Sequence, residues 1–177
     1  MKKRLAIAAL FTISMQFFCS TVVKAQPCDL PDPKPVMLGL TQVSVRATST
    51  DDAKKALKSI GQKTGPIESQ MVSLIKQRVE EIGVEVMSDD PKDLAKSHAE
   101  LLCNIYTDLM SGTIKIRLCL NELVSLARDP ESKIIVTTWQ HIANPRSNEV
   151  RPMVQTAGTL TEEFIADYLD ANPHKKR

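Results

Sequence analysis

Aromatic residues are scarce in this sequence of 177 residues, which contains one Trp, two Tyr and four Phe. Proteins that bind single-stranded nucleic acid or sugars by stacking need several aromatic side chains. The scarcity disfavours both functions and predicts a core built from Leu, Ile, Val and Met. Three phenylalanines lie within the first 18 residues, so the aromatic residues beyond residue 25 are Tyr106, Trp139, Phe164 and Tyr168.

Glycine and histidine are also few, with six and three copies. The glycines stand singly, so the sequence lacks a Gly-rich phosphate-binding loop, a dinucleotide fingerprint and the Gly-x-Ser-x-Gly elbow of hydrolases. His98-Ala99-Glu100 with Cys103 resembles part of a deaminase zinc motif, but the paired cysteines that complete such a motif are missing. We therefore predict no catalytic residue, no metal site and no cofactor. Catalytic groups that meet only in the fold remain the alternative.

The first 25 residues have the pattern of a bacterial export signal. Residues 2–4 are Lys-Lys-Arg, residues 5–18 are mostly apolar, and Val-Lys-Ala at 23–25 matches a small-residue cleavage site. We predict cleavage after Ala25, which places about 152 residues in the periplasm without a transmembrane segment. The alternatives are an uncleaved anchor and a lipid anchor at Cys19, and the two bulky aromatic residues before Cys19 disfavour the lipid anchor.

Removal of the signal reverses the sign of the net charge. The whole chain has 23 basic and 21 acidic residues, and residues 1–25 contain four of the basic ones and none of the acidic ones. The mature chain therefore has 19 basic against 21 acidic residues, and three of the 19 lie in a basic tail at 173–177. This balance does not support a nucleic-acid or anionic-lipid surface, and we predict neither partner.

Proline and hydrophobic patterns predict four segments: a cleaved signal peptide (1–25), an extended Pro-rich lead-in (26–35), a single domain (36–172) and the basic tail (173–177). Within the domain we predict a strand at 36–47 with a bulge near Thr41 or Gln42, a short helix from Asp51 capped by Ser49 or Thr50, a helix at 66–82 ended by Gly83, a short strand at 84–87, a loop or short helix at 88–98, hairpin strands at 101–110 and 113–123, a turn at 129–130, a strand at 134–142, a polar loop at 144–154, and a last helix from near Thr159 or Thr161. This order predicts an α+β fold, with a mixed four- or five-stranded sheet and helices packed mainly on one face.

The register of the central hairpin follows from its apolar faces. A two-residue turn at Ser111-Gly112 places Ile105 opposite Leu118 and groups Leu109 with the core residues of the first strand. On the outer face, the same register produces two favourable cross-strand pairs, Tyr106 with Arg117 and Asp108 with Lys115.

Three cysteines remain after cleavage, namely Cys28, Cys103 and Cys119. The hairpin register turns Cys103 to the core and Cys119 to the outer face, so a bridge between these two is disfavoured. We predict that Cys103 is a buried thiol and that Cys28 and Cys119 form a disulfide that joins the lead-in to the sheet. Three reduced cysteines without a role are the alternative.

The outer face of the hairpin has the composition of an interaction surface. It carries Tyr106, Lys115 and Arg117, together with Trp139 and His141 if the next strand presents them on the same side. Tyr, Trp and Arg are enriched where proteins bind each other. An ordinary solvated face with one amphipathic Trp is the alternative.

The order of elements resembles that of small exported bacterial domains in cell-envelope accessory proteins, such as the curli-secretion lipoprotein and the N-terminal domain of TolB. The resemblance covers most of the mature chain but transfers no functional residue, and it implies an accessory role in the envelope. The segments that carry it are the strand at 36–47, the helix end Glu81-Ile82-Gly83-Val84-Glu85-Val86, the central hairpin, and Glu163-Phe164-Ile165-Ala166-Asp167-Tyr168-Leu169.

The sequence thus predicts a non-enzymatic periplasmic accessory or scaffold subunit of a bacterial cell-envelope complex, which binds another protein through a sheet edge or the outer face. The alternative is a small periplasmic hydrolase or ligand-binding protein that uses the 144–154 loop. That loop is long and polar and contains Arg146, Asn148 and Arg151.

Overall fold

The computed structural model describes residues 37–87 and 99–175. Within these ranges the chain forms one five-stranded mixed sheet and three α-helices, so the predicted α+β class is confirmed. The predicted signal peptide, the Pro-rich lead-in and the 88–98 segment lie outside the described residues. In chain order the elements are β1 (Gln42–Ser49), α1 (Asp51–Ser59), α2 (Thr64–Glu81), β2 (Glu85–Val86), β3 (Ala99–Thr107), β4 (Ile114–Leu126), β5 (Asp129–Ala143), α3 (Val150–Ala171) and a 3-10 turn (Pro173–Lys175).

The strands lie in the order β2-β1-β3-β4-β5. β1 is parallel to both β2 and β3, whereas β3, β4 and β5 form two consecutive antiparallel hairpins. The connection from β1 to the parallel β2 passes through α1 and α2, because parallel strands need a long crossover and a helix pair supplies it. Only two residues of β2 pair with β1.

The first two helices form where their sequence patterns predict them. The Thr50 hydroxyl accepts a hydrogen bond from the Ala53 amide at 3.3 Å and caps α1, whose first turn carries Asp51 and Asp52. Helix α2 ends before Gly83, which has a positive φ of 74° and stops the helix there. The residues of α2 that are buried recur at the helical period, namely Ile67, Met71, Ile75 and Val79.

The core lies between the three helices and one face of the sheet. Strand residues alternate between this covered face and the opposite face, which we call the open face and on which the residues of β3 are only partly buried. The buried strand residues of the covered face are Val43, Val45, Leu101, Cys103, Ile105, Ile116, Leu118, Leu120 and Trp139.

The predicted register of the β3–β4 hairpin is wrong by two residues. Ile105 lies opposite Ile116, and Leu118 lies opposite Cys103. The strands are joined by a loop between Asp108 and Thr113, whose backbone N–H and C=O form the closing hydrogen bond at 2.9 Å. A shift of two residues leaves every side chain on its predicted face because strand side chains alternate with period two.

The start of β1 also differs from the prediction. Strand pairing begins at Gln42 instead of residue 36, and the change in apolar parity reflects a turn at 37–40 instead of a bulge. The turn is anchored to the end of α3, where the Asn172 side chain donates to the Met37 carbonyl at 3.0 Å and accepts from the Gly39 amide at 3.1 Å. Gly39 has a positive φ of 82°, which only glycine adopts at low cost.

Helix α3 begins at Val150, about ten residues before the predicted start near Thr159 or Thr161. Pro152 lies in the first helical turn, where the amide that proline lacks would have no partner within the helix. The Thr159 and Thr161 hydroxyls do not cap a helix start, because each donates to the carbonyl four residues earlier. The turn predicted at 129–130 lies instead at Ala127-Arg128, and Asp129 already pairs with Leu126.

Candidate interaction surface

The loop between β3 and β4 holds two large apolar side chains in solvent. Leu109 is 89% exposed and Met110 is 97% exposed, so the predicted place of Leu109 in the core is wrong. The Asp108 carboxylate accepts hydrogen bonds from the Met110 amide at 2.8 Å and the Ser111 amide at 3.1 Å, and the Gly112 amide donates to the Asp108 carbonyl at 2.8 Å. The loop backbone is therefore well organised although its apolar side chains pack on nothing within the described chain.

Asp108 also connects the loop to β4 through an ion pair with Lys115. The hydrogen bond from Lys115, followed by those from the Ser111 and Met110 amides, lowers the pKa of Asp108 from 3.8 to about 2. The same contact with Asp108 raises the pKa of Lys115. The two side chains were predicted to interact as directly opposed residues, but in the observed register Lys115 lies opposite Tyr106 and reaches Asp108 diagonally.

We expect Asp108→Ala to destabilise the protein and to loosen the loop, because the variant removes the acceptor for two amides and the partner of Lys115. A carboxyl whose pKa is lowered on folding stabilises the protein above its ordinary pKa, and this contribution is lost as the pH falls through the folded-state value. The difference in urea midpoint between the wild type and Asp108→Ala should therefore be full above about pH 5 and shrink as the pH falls from about 4 through about 2, in line with the shift from 3.8 to about 2. Glu131→Ala, at an exposed carboxylate of β5, is the control and should change the midpoint little at any pH; a difference for Asp108→Ala that is as large at pH 2 as at pH 6 would contradict this origin.

Next to the loop, the open face carries an aromatic and cationic cluster. The Arg117 guanidinium carbon lies 5.7 Å from the centre of the Tyr106 ring, in the geometry of a cation–π contact. Ile142, which is 49% exposed, lies opposite Arg117 on β5. We call Tyr106, Leu109, Met110, Lys115 and Arg117 the tip surface.

The other two predicted surface residues lie on the opposite side of the sheet. Trp139 is 2% exposed and packs in the core, with its indole Nε1–H donating to the Asp167 carboxylate at 2.9 Å. His141 stacks on Trp139 at 4.8 Å and contacts the Glu163 carboxylate through Nδ1 at 2.7 Å. The five predicted residues therefore do not form one surface, because a bulge between β4 and β5 at Leu120/Asn121 sets the side on which Trp139 and His141 emerge.

The two described cysteines, Cys103 and Cys119, are not bonded to each other, and both have restricted access to solvent. Cys103 faces the core, as predicted, and burial raises its pKa to about 12. Cys119 lies on the open face opposite Leu102 yet is only 3% exposed, and burial raises its pKa although the charge of Arg117 acts in the opposite direction. Cys28 lies outside the described residues, so its pairing with Cys119 stays a prediction.

We expect alkylation and peptide mapping of unreduced mature protein to label Cys103 alone, and only after unfolding. The buried thiol has a raised pKa and so forms little of the thiolate that reacts. Cys28 and Cys119 should become labelled only after reduction of their disulfide. A disulfide that contains Cys103 would contradict the assignment of faces, and labelling of all three cysteines in the unfolded, unreduced protein would show that the pairing is absent.

The 144–154 loop contributes to a groove on the helical side of the molecule. Residues 144–149 precede α3, and Arg151 belongs to its exposed first turn. Arg146 lines a groove of about 610 Å³ between α2 and α3, and Asn148 is exposed outside it. Arg78 and Glu162 also line this groove and form an ion pair with each other. The groove thus contains one further cation, Arg146, beside the ion pair of Arg78 and Glu162.

Residues 37–87 and 99–175 contain neither a helix that could cross a membrane nor a metal-binding group of side chains. No helix in these ranges is long and apolar enough to cross a membrane. The same ranges contain no group of three or more His, Cys, Asp or Glu side chains placed to hold a metal ion.

No protein-family model and no curated protein matches the sequence. Among solved structures, two crystal forms of the PelC dodecamer from Paraburkholderia phytofirmans are similar to this chain. A point variant of PelC has a TM-score of 0.36 and 12% sequence identity, and the match covers 73% of this chain and 88% of PelC. The second form has a TM-score of 0.34 and 12% identity, with 72% and 87% covered.

Proposed function

We propose that this protein is a non-enzymatic accessory or scaffold subunit of a bacterial cell-envelope complex and that it binds another protein through the tip surface. The observation that carries the proposal is the ordered loop that presents Leu109 and Met110 to solvent, at 89% and 97% exposure. Adjacent large apolar side chains in solvent form a contiguous patch, and such patches are where partners bind.

The loop is suited to binding because its conformation is already determined in the free protein. The Asp108 side chain accepts from two loop amides and contacts Lys115, so three interactions restrain the segment that carries Leu109 and Met110. Binding by an ordered loop loses less conformational entropy than binding by a loop that must order on contact. The two side chains therefore present their apolar area to a partner at low entropic cost.

The size of the apolar contribution favours a protein partner over lipid. Complete burial of Leu109 and Met110 contributes about 3–6 kcal/mol, at about 1.5–3 kcal/mol for each side chain. A micromolar complex needs about 8 kcal/mol, so the loop alone is insufficient. Even a whole myristoyl chain gives only marginal membrane binding. A protein that covers the loop together with Tyr106 and Arg117 would supply the remaining contacts, and Tyr and Arg are frequent among the residues that dominate binding energy.

The proposed compartment is the periplasm. It is supported by the positive segment, apolar run and cleavage pattern in residues 1–25. An accessory role is further supported by the residue composition of the tip surface. It consists of apolar, aromatic and basic side chains and contains neither a nucleophile with an adjacent base nor a cluster of acids.

Site-specific photo-crosslinking in intact cells tests this proposal. A photoreactive amino acid replaces Met110 in one variant of the full chain and Leu38 in the control. Leu38 is also an exposed apolar residue, at 64%, but lies outside the tip surface. We expect a product of discrete mass from the variant with the probe at position 110 and none from the control, with the crosslinked protein identified by mass spectrometry.

A double substitution supplies the matched test of affinity. Leu109→Ser with Met110→Ser should lower the amount of this partner retained by tagged protein from solubilised envelopes by about tenfold or more, which corresponds to about 1.4 kcal/mol. Leu38→Ser should leave the retained amount unchanged. Absence of any crosslink at position 110, or equal retention by the double variant, would contradict a binding role for the tip surface.

A second candidate function is binding of a small anionic ligand in the groove between α2 and α3. Arg146 favours it, since this residue lines the groove while the neighbouring Arg78 is already paired with Glu162. Phosphate should then raise the Tm of the wild type but not that of Arg146→Ala. An equal response of the two proteins would exclude this candidate.

A further inference from the structure

Arg117 has no acidic partner among the described residues, unlike Lys115 and Arg46 on the same face of the sheet. Lys115 is paired with Asp108, and Arg46 is paired with Glu100 on the same face at 2.8 Å. Within residues 37–87 and 99–175, Arg117 forms no ion pair, and its guanidinium lies over the Tyr106 ring. Arg117 is therefore an uncompensated positive charge on the open face, and Tyr106, over which it lies, is the next-to-last residue of the strand that leads into the apolar loop.

The surroundings of Arg117 make this charge costly in the free protein. Its Nε atom is shielded from solvent and has no hydrogen-bond partner within the described chain. A shielded donor without an acceptor is unfavourable, and its shielding leaves the two terminal nitrogens of the guanidinium as the donors for a partner's carboxylate, a charge-assisted hydrogen bond of the strong kind. The Tyr106 ring holds the guanidinium on the surface of the sheet, which restricts its conformations before any partner binds.

We propose that the tip surface recognises a protein segment that presents a carboxylate to Arg117 next to an apolar side chain that packs on Leu109 and Met110. This inference rests on the proposed function and specifies the chemistry of the partner. Arg117 would bind the carboxylate, and Leu109 and Met110 would contact the apolar side chain. A guanidinium matches a carboxylate in both charge and geometry, because its planar N–H groups can donate two parallel hydrogen bonds.

Other occupants fit the surface less well. A nucleic acid requires a series of cations that follows its phosphates, whereas Asp108 and Glu100 neutralise the neighbours of Arg117. An anionic membrane also requires several uncompensated basic residues near the inserted side chains. One unpaired arginine on a face that ends in a loop with exposed Leu and Met side chains suits an acidic side chain in an apolar context, since Arg and Met are enriched where proteins bind each other.

Nuclear magnetic resonance of the arginine Nε–Hε groups tests the inference on the mature protein. The probe is the dipeptide acetyl-Leu-Glu-amide, and the uncharged analogue acetyl-Leu-Gln-amide is the control. The Arg117 resonance is assigned by its loss in Arg117→Lys. We expect the acidic dipeptide to shift this resonance with a dissociation constant of about 1–10 mM. The uncharged analogue should bind at least about tenfold more weakly. The Arg46 resonance should not move.

Three results would overturn the inference: no shift of the Arg117 resonance, equal shifts with both dipeptides, or equal binding of the acidic dipeptide by the wild type and the Leu109→Ser/Met110→Ser variant. Inorganic phosphate is titrated in parallel, and binding as tight as that of the dipeptide would identify a general anion site and also overturn it.

The partner captured by crosslinking provides an independent measurement. Arg117→Gln should reduce its retention by about tenfold or more, whereas Arg46→Gln, the same change at a paired arginine, should reduce it by less than about twofold. If the partner is captured at position 110 but Arg117→Gln retains it fully, the inference fails while the proposed function stands. If no partner is captured, the proposed function fails, whatever the dipeptide shows.

The captured protein could also be a second copy of this chain. In that case an Asp or Glu residue of the second copy should contact Arg117. A contact without an acidic residue would contradict the inference.

Discussion

Replacing Phe164 by alanine should lower the free energy of unfolding by about 3–5 kcal/mol, the largest effect we expect from one substitution. The Phe164 ring is fully buried on α3 and meets the edge of the Trp139 indole at 5.3 Å with an angle of 74° between the rings. It also lies 6.3 Å from the Tyr168 ring. Removing it leaves a cavity where α3 packs on the sheet, so both the transfer energy and the contacts of its neighbours are lost.

Urea unfolding followed by tryptophan fluorescence measures this effect directly, because Trp139 is the single tryptophan of the chain and is buried beside Phe164. Phe164→Leu is the matched variant, and its smaller cavity should cost less than half as much. Small domains have total stabilities of about 5–15 kcal/mol, so Phe164→Ala should remove a large share and shift the midpoint strongly. A loss below about 1 kcal/mol would show that this interface does not hold α3 to the sheet.

Replacing Asn172 by alanine should cost about 1.5–3 kcal/mol, the second largest effect. The side chain is 1% exposed and donates to the Met37 carbonyl at 3.0 Å and the Tyr168 carbonyl at 2.9 Å. It also accepts from the Gly39 amide at 3.1 Å. Alanine leaves two buried carbonyls without these donors and removes the link between the turn at 37–40 and the end of α3.

Asn144→Ala is the matched control, since Asn144 is exposed and its replacement should change stability by less than about 0.5 kcal/mol. Hydrogen exchange provides a second readout, because the Gly39 amide should lose protection in Asn172→Ala and keep it in the control. Equal stability of the two variants would contradict a structural role for Asn172. Its position also explains why the chain enters the sheet at Gln42, since the preceding turn is fixed to α3.

The tip surface combines an ordered apolar loop with an unpaired arginine, and the two features have different physical origins. The loop is ordered by local hydrogen bonds to Asp108, which lies within five residues of every group that it contacts except Lys115. The uncompensated charge of Arg117 depends on the whole open face, because the acids of that face are engaged with Arg46 and Lys115. Loop substitutions should therefore weaken apolar contact, and substitution of Arg117 should change the charge preference.

The sequence alone determined the α+β class, the helix α2, the start of helix α1 at its capping threonine, and the faces of the central hairpin. These features depend on local signals, since a helical stripe, a capping threonine and the alternation of strand residues are each visible within a few positions. The burial of Cys103 followed from the same alternation and did not require the correct register, because an error of two residues preserves the faces.

The tertiary structure alone decided the features that depend on distant residues. The start of β1 is set by Asn172, more than 130 positions away, and helix α3 begins at Val150, with Gly158 packing against Leu74 of α2. The loop length placed Leu109 in solvent, and the β4–β5 bulge placed Trp139 and His141 on the helical side. Loop geometry, bulges and long-range hydrogen bonds do not alter a local hydrophobic pattern, so only the packed chain brings the loop and Arg117 together as the proposed binding surface.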